Sequence, residues 1–296
     1  MDIPSVIAEN LKSDNEKLLS LTKRYPYYAD EIASYLIGKD TLEATDEELE
    51  LSYREIKEVL DRHTPQSENS FSTPMLRAEA TILAAEIALA LTKKAKIHTF
   101  LPTLDSVEGK CVYFRNAYSD EAYRRFSPYL TSPTASYSDT PMAACRDVYN
   151  DLAAFAILPV RSSKEGVIGG MARHISRFEL APTLFCDITL PGSDETMTMG
   201  LFSAFPMAID AAEGMEAILF ADDSGTLPAL MLSADILGCP VTKSSLLDDT
   251  QGFPFAYRLT FTRCKDATLL PLWLLLRCEY PHHQLCGIWR TISKNK

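Results

Sequence analysis

The sequence predicts a multidomain chain of mixed α+β and α/β class. It reads as an N-terminal helical domain over residues 1–100, a single α/β lobe over 108–206 and a C-terminal βαββαβ domain over 214–293. Three observations predict it. Apolar residues recur at helical spacing in the first part of the chain. Beyond residue 108 strand-like and helix-like runs alternate. In the last part they take the order βαββαβ, the ferredoxin-like arrangement.

The helical part is justified by its caps. A first helix is expected through Asn15–Leu21, broken or kinked at Pro26. Thr45-Asp46-Glu47-Glu48 has the form of a capping box, in which the Thr oxygen takes a free amide and Glu48 reaches back. Leu49, Tyr53, Ile56 and Leu60 then line one face. Residues 64–73 read as a polar loop, and Thr73-Pro74 restarts helix, with Leu76, Ala80, Leu83, Ile87 and Leu91 as its stripe. Such helices need a partner surface, in this chain or a second copy, to bury those faces.

In the middle, Cys111–Phe114 reads as a short strand and Ser119 as the cap of a helix with Asp120 and Glu121 in its first turn. Thr140-Pro141 opens another helix, Ala154–Leu158 is a buried strand closed by Pro159, Val167–Phe178 a helix and Thr183–Leu190 a strand. In the last part, Ala217–Phe220, Cys239–Leu247, Phe255–Thr262 and Gln284–Thr291 read as strands. Leu227–Leu237 and Leu269–Leu276 are the intervening helices. Phe255, Tyr257, Leu259 and Phe261 alternate with polar or small residues, the mark of a half-buried strand.

Composition narrows the function. The 296 residues are 46% hydrophobic and 23% charged, and the net charge is −11. Such a surface repels phosphate backbones, so no nucleic-acid partner is expected, and an anionic substrate needs a locally basic pocket. No apolar stretch is long enough to span a bilayer, so no membrane partner is expected either. Asp2 and Glu9 stand where a signal peptide carries lysines and then an apolar core, which makes a cytoplasmic protein the expectation. The seven cysteines are scattered without a C-x-x-C pair, and His282-His283 lacks further ligands. Neither a metal nor a disulfide frame is expected. No phosphate- or dinucleotide-binding glycine pattern occurs, and no cofactor is expected.

Pro159-Val-Arg-Ser-Ser163-Lys-Glu165-Gly166-Val-Ile resembles the Pro-Ile-Glu-Asn-Ser-x-Glu-Gly-x-Val segment of prephenate dehydratases, with Pro159, Ser163, Glu165 and Gly166 identical. Val112-Tyr113-Phe114 and Tyr118-Ser119-Asp-Glu-Ala122 resemble that family's first strand and helix. Ser224-Gly225-Thr226-Leu227, Val241-Thr242-Lys243, Ala256-Tyr257 and Gly287 resemble the ACT domain that follows the dehydratase. Asn15–Leu21, Ile37-Gly38-Lys39 and Arg54-Glu55 resemble the helical chorismate mutase that precedes it in bifunctional members. The resemblance implies a chorismate mutase-like domain, one prephenate dehydratase-like lobe and an ACT-like domain.

It also implies the ligands: chorismate, prephenate and phenylalanine, with pairing into a homodimer. Lys39 and Arg54 match cations of the mutase and Glu55 an orienting group beside them. Thr198 takes the place of the dehydratase's catalytic Thr. Ser163 and Arg161 fall in its substrate-binding segment, and Gly225, Thr226 and Leu227 in the effector loop. Each has a plain structural reading as well. Arg54 lies between Glu50 and Glu58 at i, i+4 spacing, as a solvated ion pair does. Lys39 can mark a helix end, Ser163 can cap a helix, Thr198 can be an ordinary strand threonine, and Gly225 an ordinary turn.

The chain departs from the family pattern. The Arg and Phe that follow the family's Thr are here Met199 and Gly200, Arg161-Ser162 replaces Glu-Asn, and room remains for only one lobe. The expected function is a role in phenylalanine biosynthesis as a reduced relative of chorismate mutase–prephenate dehydratase. The substitutions weigh against dehydratase turnover and leave mutase turnover open. The alternative is a non-catalytic, phenylalanine-sensing regulatory protein.

Overall fold

The computed structural model describes residues 42–63, 73–98 and 101–293. Lys39, the helix expected through Asn15–Leu21 and nearly all of the polar loop expected at 64–73 fall outside the described residues. The chain forms two compact units. The first holds the described residues before Phe100 together with Ile218–Gln284, and the second holds Leu101–Ala217 and Leu285 onward. No described helix is long and apolar enough to cross a membrane.

The first unit begins with β1 (Leu42–Thr45), α1 (Asp46–His63), α2 (Thr73–Lys94) and β2 (Ala95–His98). β1 and β2 pair in parallel. The capping box forms as expected: the Thr45 amide donates to Glu48 Oε2 at 2.7 Å, and the Glu48 amide donates to Thr45 Oγ1 at 3.3 Å. Leu49, Tyr53 and Ile56 are buried along α1, and Ala84, Ala85, Ile87, Ala88 and Leu91 along α2.

The second unit opens with β3 (Glu108–Phe114), α3 (Ala117–Phe126), β4 (Thr131–Ser138), α4 (Pro141–Tyr149) and β5 (Phe155–Ser162). Next come β6 (Gly166–Val167), α5 (Gly169–Arg177), β7 (Ala181–Thr189) and β8 (Thr196–Ser203). The βαββαβ segment follows as β9 (Gly214–Ala221), α6 (Thr226–Ile236), β10 (Val241–Leu246), β11 (Phe255–Thr262), α7 (Leu270–Glu279) and β12 (His283–Ile292). Its strands lie in the order β10-β11-β9-β12. This is second, third, first, fourth, the interleaving of a ferredoxin-like fold.

Within the first unit, α2 packs on α6 and α7, and α1 packs on α7. The small residues of α2 permit that close approach. Ser233 Oγ of α6 donates to the Thr81 carbonyl at 3.4 Å. Polar clamps join α1 to α7. Tyr53 donates its hydroxyl to Glu279 at 2.8 Å, and Lys57 Nζ lies 2.5 and 2.6 Å from the same carboxylate. Arg277 pairs with Glu50 and lies 3.6 Å from the buried Asp46. Burial, followed by the Glu279 charge, pushes the Tyr53 phenol well above its usual range.

In the second unit the sheet order is β12-β7-β8-β5-β3-β4, with β6 on the end of β5. β3, β4 and β5 are mutually parallel, β8 runs antiparallel to β5 and β7, and β12 is parallel to β7. One face buries Cys111, Phe155, Ile157, Cys186, Met199 and Leu201 beneath Ala122 and Phe126 of α3. The other buries Val112, Ala156, Leu158 and Phe202 beneath Ala144, Cys145 and Val148 of α4 and Met171 of α5. Phe155–Leu158 is buried on both faces, which is why it reads as an unbroken apolar run. Burial pushes the Cys145 thiol up to about 11 and Cys111 to about 12, as expected of inert packing residues.

Three expectations are corrected. β5 does not close at Pro159 but continues to Ser162, because the register with β8 shifts between Pro159 and Arg161 and a bulge tolerates the ring. The cap of α3 is Asn116, whose side chain accepts from the Ser119 amide at 3.0 Å. β4 was not expected. It is a mostly exposed edge strand containing Pro133, and polarity of that kind reads as loop.

Gly287 sits where β12 approaches β7, and an added Cβ there would lie 2.3 Å from the Pro182 ring. The rigid ring cannot swing away. Gly287→Ala is expected to lower stability by about 1–3 kcal/mol. A urea midpoint followed at the nearby Trp289 checks this, and an unchanged midpoint contradicts it.

Candidate functional site

In an open α/β sheet, ligands bind outside the carboxyl ends of the strands, at the point where successive connections leave on opposite faces. In the second unit β3 and β5 meet at such a point. β3 leads into α3 on one face, whereas β5 leads into α5 on the other, and the two strands are neighbours. The residues at this edge follow β3, β4, β5 and β7 and precede β8.

Three groups of side chains gather there. At the end of β3, Arg115 Nε lies 3.6 Å from Asp120 Oδ2 and its guanidinium stacks over Tyr137 at 4.9 Å. Tyr113 donates its hydroxyl to Asp120 at 3.2 Å. Burial, with Tyr137 and then Asp120 adding, pushes the Tyr113 phenol upward.

At the end of β5, Ser162 is buried and donates to Glu195, while its Oγ also accepts the Lys164 amide at 3.1 Å. Ser163 is held against β8 by its amide, which donates to the Thr196 carbonyl at 2.8 Å, and by its Oγ, which accepts from the Thr196 amide at 3.0 Å. Ser163 thus pins a turn against β8 and does not cap a helix, since α5 begins at Gly169 with Ile168 as its cap residue.

The third group is a row across three strands. The bulge after Pro159 sets Arg161 opposite Thr198, and Thr198 in turn is opposite Asp187. Directly opposed antiparallel side chains stand about 5 Å apart. Thr198 Oγ1 donates to Asp187 Oδ1 at 2.6 Å. The row therefore presents a cation, a hydroxyl and a carboxylate side by side, with Arg161 and Asp187 exposed. Thr189 and Thr196 extend it with a hydroxyl contact of 2.7 Å. Asp187 is the residue that sequence reasoning missed. Its partner is eleven positions away, and only the β7–β8 register joins them.

Asp187 is also anchored through its backbone. Arg125 of α3 donates to the Asp187 carbonyl at 2.8 Å and to Glu121 at 2.9 Å. Hydrogen bonding from Arg124 first, and from Arg125 beside it, outweighs burial and holds the Glu121 carboxyl at about 2. The folded-state value is below the ordinary 4.5, so this stabilisation is complete above about pH 4.5 and is lost as pH falls toward 2. Glu121→Gln is expected to be less stable than the parent at neutral pH, with the difference closing near pH 2. Urea midpoints at several pH values measure it; a pH-independent difference contradicts it.

The other expected site residues are placed differently. Arg54 is exposed and lies 3.6 Å from the mostly buried Glu50, an ion pair at the expected i, i+4 spacing that is solvated on the arginine side alone. Glu55 has a carboxylate oxygen buried without a hydrogen-bond partner, and burial, then Glu58, pushes its carboxyl upward. Both belong to the first unit, whereas Arg161, Ser163 and Thr198 belong to the second. Gly225 has φ of −85°, so the loop needs no left-handed residue. The Asp223 carboxylate already accepts from the Gly225 amide at 2.7 Å and the Thr226 amide at 3.0 Å. Leu227 follows in the first turn of α6. An amino-acid carboxylate at Gly225-Thr226-Leu227 has to displace Asp223. Among the described residues, no group of three or more His, Cys, Asp or Glu is placed to hold a metal ion.

No protein-family model matches the chain, and no curated protein matches it. Solved structures do. The chain is similar to prephenate dehydratase from Streptococcus mutans, with TM-score 0.44 and 14% identity over 62% of this chain and 98% of that one. It is similar to GqqA, described as a novel type of quorum quenching acylase, with TM-score 0.41 and 17% identity over 60% and 93%. It is also similar to prephenate dehydratase from Arthrobacter aurescens in complex with L-Phe, with TM-score 0.43 and 11% identity over 60% and 89%.

Proposed function

We propose that the carboxyl edge of the second unit performs acid–base chemistry on a small hydroxylated carboxylate, namely the decarboxylative dehydration of prephenate. The chain is then a reduced relative of chorismate mutase–prephenate dehydratase. The observation that carries this reading is the Arg161–Thr198–Asp187 row. The sequence departure at Met199 removes a cation next to the family's Thr, and Arg161 supplies one from across the strand.

The reaction expels a hydroxyl and carbon dioxide. The hydroxyl leaves only if it is protonated. Arg161 holds the pyruvyl carboxylate by charge-assisted hydrogen bonds. Thr198 passes its proton to the departing hydroxyl, giving water, and regains one from solvent, while the Asp187 carboxylate that accepts from its Oγ1 holds the hydroxyl in place. The ring carboxylate leaves as carbon dioxide, its electron pair closes the aromatic ring, and phenylpyruvate remains.

The test is turnover. The purified chain is given prephenate and, separately, chorismate, and phenylpyruvate and prephenate are resolved chromatographically. Phenylpyruvate from prephenate supports the reading. Prephenate accumulating from chorismate, without phenylpyruvate, limits the chain to mutase chemistry. No turnover by folded protein contradicts both. A second reading, the non-catalytic phenylalanine sensor, is favoured by the exposure of Arg161 and Asp187, which leaves water at the row. Saturable phenylalanine binding without turnover favours it.

A further inference from the structure

At the opposite edge of the second unit's sheet lies a cavity of about 400 Å³. It opens where β3 and β5 begin and β8 ends. Its charged lining is Glu108, Lys110 and Asp151, and none of the three pairs its side chain with a described residue. Its apolar lining includes Leu152 and Phe205, which are 58% and 43% exposed. Leu152 and Phe205 thus leave apolar surface in water beside charges of both signs.

We propose that this cavity binds a free α-amino acid with a large apolar side chain. The ligand's charge follows from the lining. A simple anion meets two carboxylates, and a simple cation meets Lys110. A zwitterion satisfies both, with its carboxylate on Lys110 and its ammonium between Glu108 and Asp151. The side chain then covers Leu152 and Phe205. The volume suits such a molecule and lies within the usual range for small-ligand pockets. The site is separate from the Arg161–Thr198–Asp187 row and does not depend on the reaction proposed for it, so an absence of turnover leaves it standing.

Calorimetric titration of the full chain tests it, with L-leucine, L-methionine and L-phenylalanine as probes. N-acetyl-L-phenylalanine lacks the ammonium, and L-phenylalaninamide lacks the carboxylate. Saturable binding of at least one free amino acid is expected, weakened about tenfold or more in both derivatives and in Lys110→Ala. Lys110 is exposed, so its replacement leaves the core intact, and the two derivatives make the same test on the unaltered protein. Absence of saturable binding overturns the proposal. So does binding that is indifferent to Lys110→Ala, which places the amino acid elsewhere.

Discussion

Thr198→Ala is expected to lower kcat for prephenate by about 10²–10⁴-fold while leaving KM nearly unchanged, because the hydroxyl acts on the leaving group and not on the bound carboxylate. Thr198→Ser keeps the Oγ that donates to Asp187 and is expected to retain most of the rate. Arg161→Ala is expected to raise KM instead, since it removes the grip on the carboxylate. The contrast discriminates between roles. A Thr198 that only pairs strands loses the same small amount in both variants, since neither breaks the backbone ladder between β7 and β8. Steady-state kinetics on the three variants, each with a normal circular dichroism spectrum, reads it out.

Glu279→Ala is expected to cost about 2–3 kcal/mol of stability in the first unit. The change strands the Tyr53 hydroxyl, whose residue is buried, and releases Lys57 from its carboxylate. Lys57 and Glu279 are both partly exposed, so the effect falls short of that of a fully buried pair. Arg54→Ala, on the same helix α1, is expected to change stability by less than about 0.5 kcal/mol, because the Arg54 side chain is exposed and Glu50 keeps its pair with Arg277. Trp273 lies in the first unit and Trp289 in the second. In a Trp289→Phe background, urea unfolding followed by Trp273 fluorescence therefore reports the first unit alone. Equal midpoints for the two substitutions contradict the assignment of Glu279 as the clamp between α1 and α7.

Those two expectations mark where the sequence was legible. Arg54 could be read as an ion pair from spacing alone, since i, i+4 neighbours on a helix meet wherever the helix packs. The Glu279 clamp could not, because it joins residues more than two hundred positions apart. The same divide runs through the fold. The Thr45–Glu48 box and β11 were legible because capping chemistry and two-residue alternation are local signals. The ferredoxin-like interleaving followed from element order, which the chain rules restrict to few arrangements. β4 was not legible, since an exposed edge strand carries neither an apolar run nor a clean alternation.

The candidate site was legible in half. Thr198 and Arg161 stood in recognisable segments, and the structure places them opposite one another. The reason they meet was hidden. Pro159 was read as the end of a strand, yet the bulge that accommodates it shifts the register and sets Arg161 beside Thr198. Asp187 carried no motif at all. Gly225 was read as part of an effector loop or as an ordinary turn, and the neighbouring Asp223 carboxylate, which sequence reasoning passed over, determines what the loop can accept.

The central claim is that Thr198 and Asp187 work as one unit, a proton donor and the carboxylate that positions it. The most direct measurement is prephenate turnover by Thr198→Ala, Asp187→Asn and the double variant. Asn keeps a hydrogen-bonding partner for Thr198 but lacks the carboxylate's charge. Residues that act as a unit fail together, so the double variant is predicted to be no slower than the slower single variant. Losses that multiply in the double variant, or a parent chain that does not turn over prephenate at all, contradict the account.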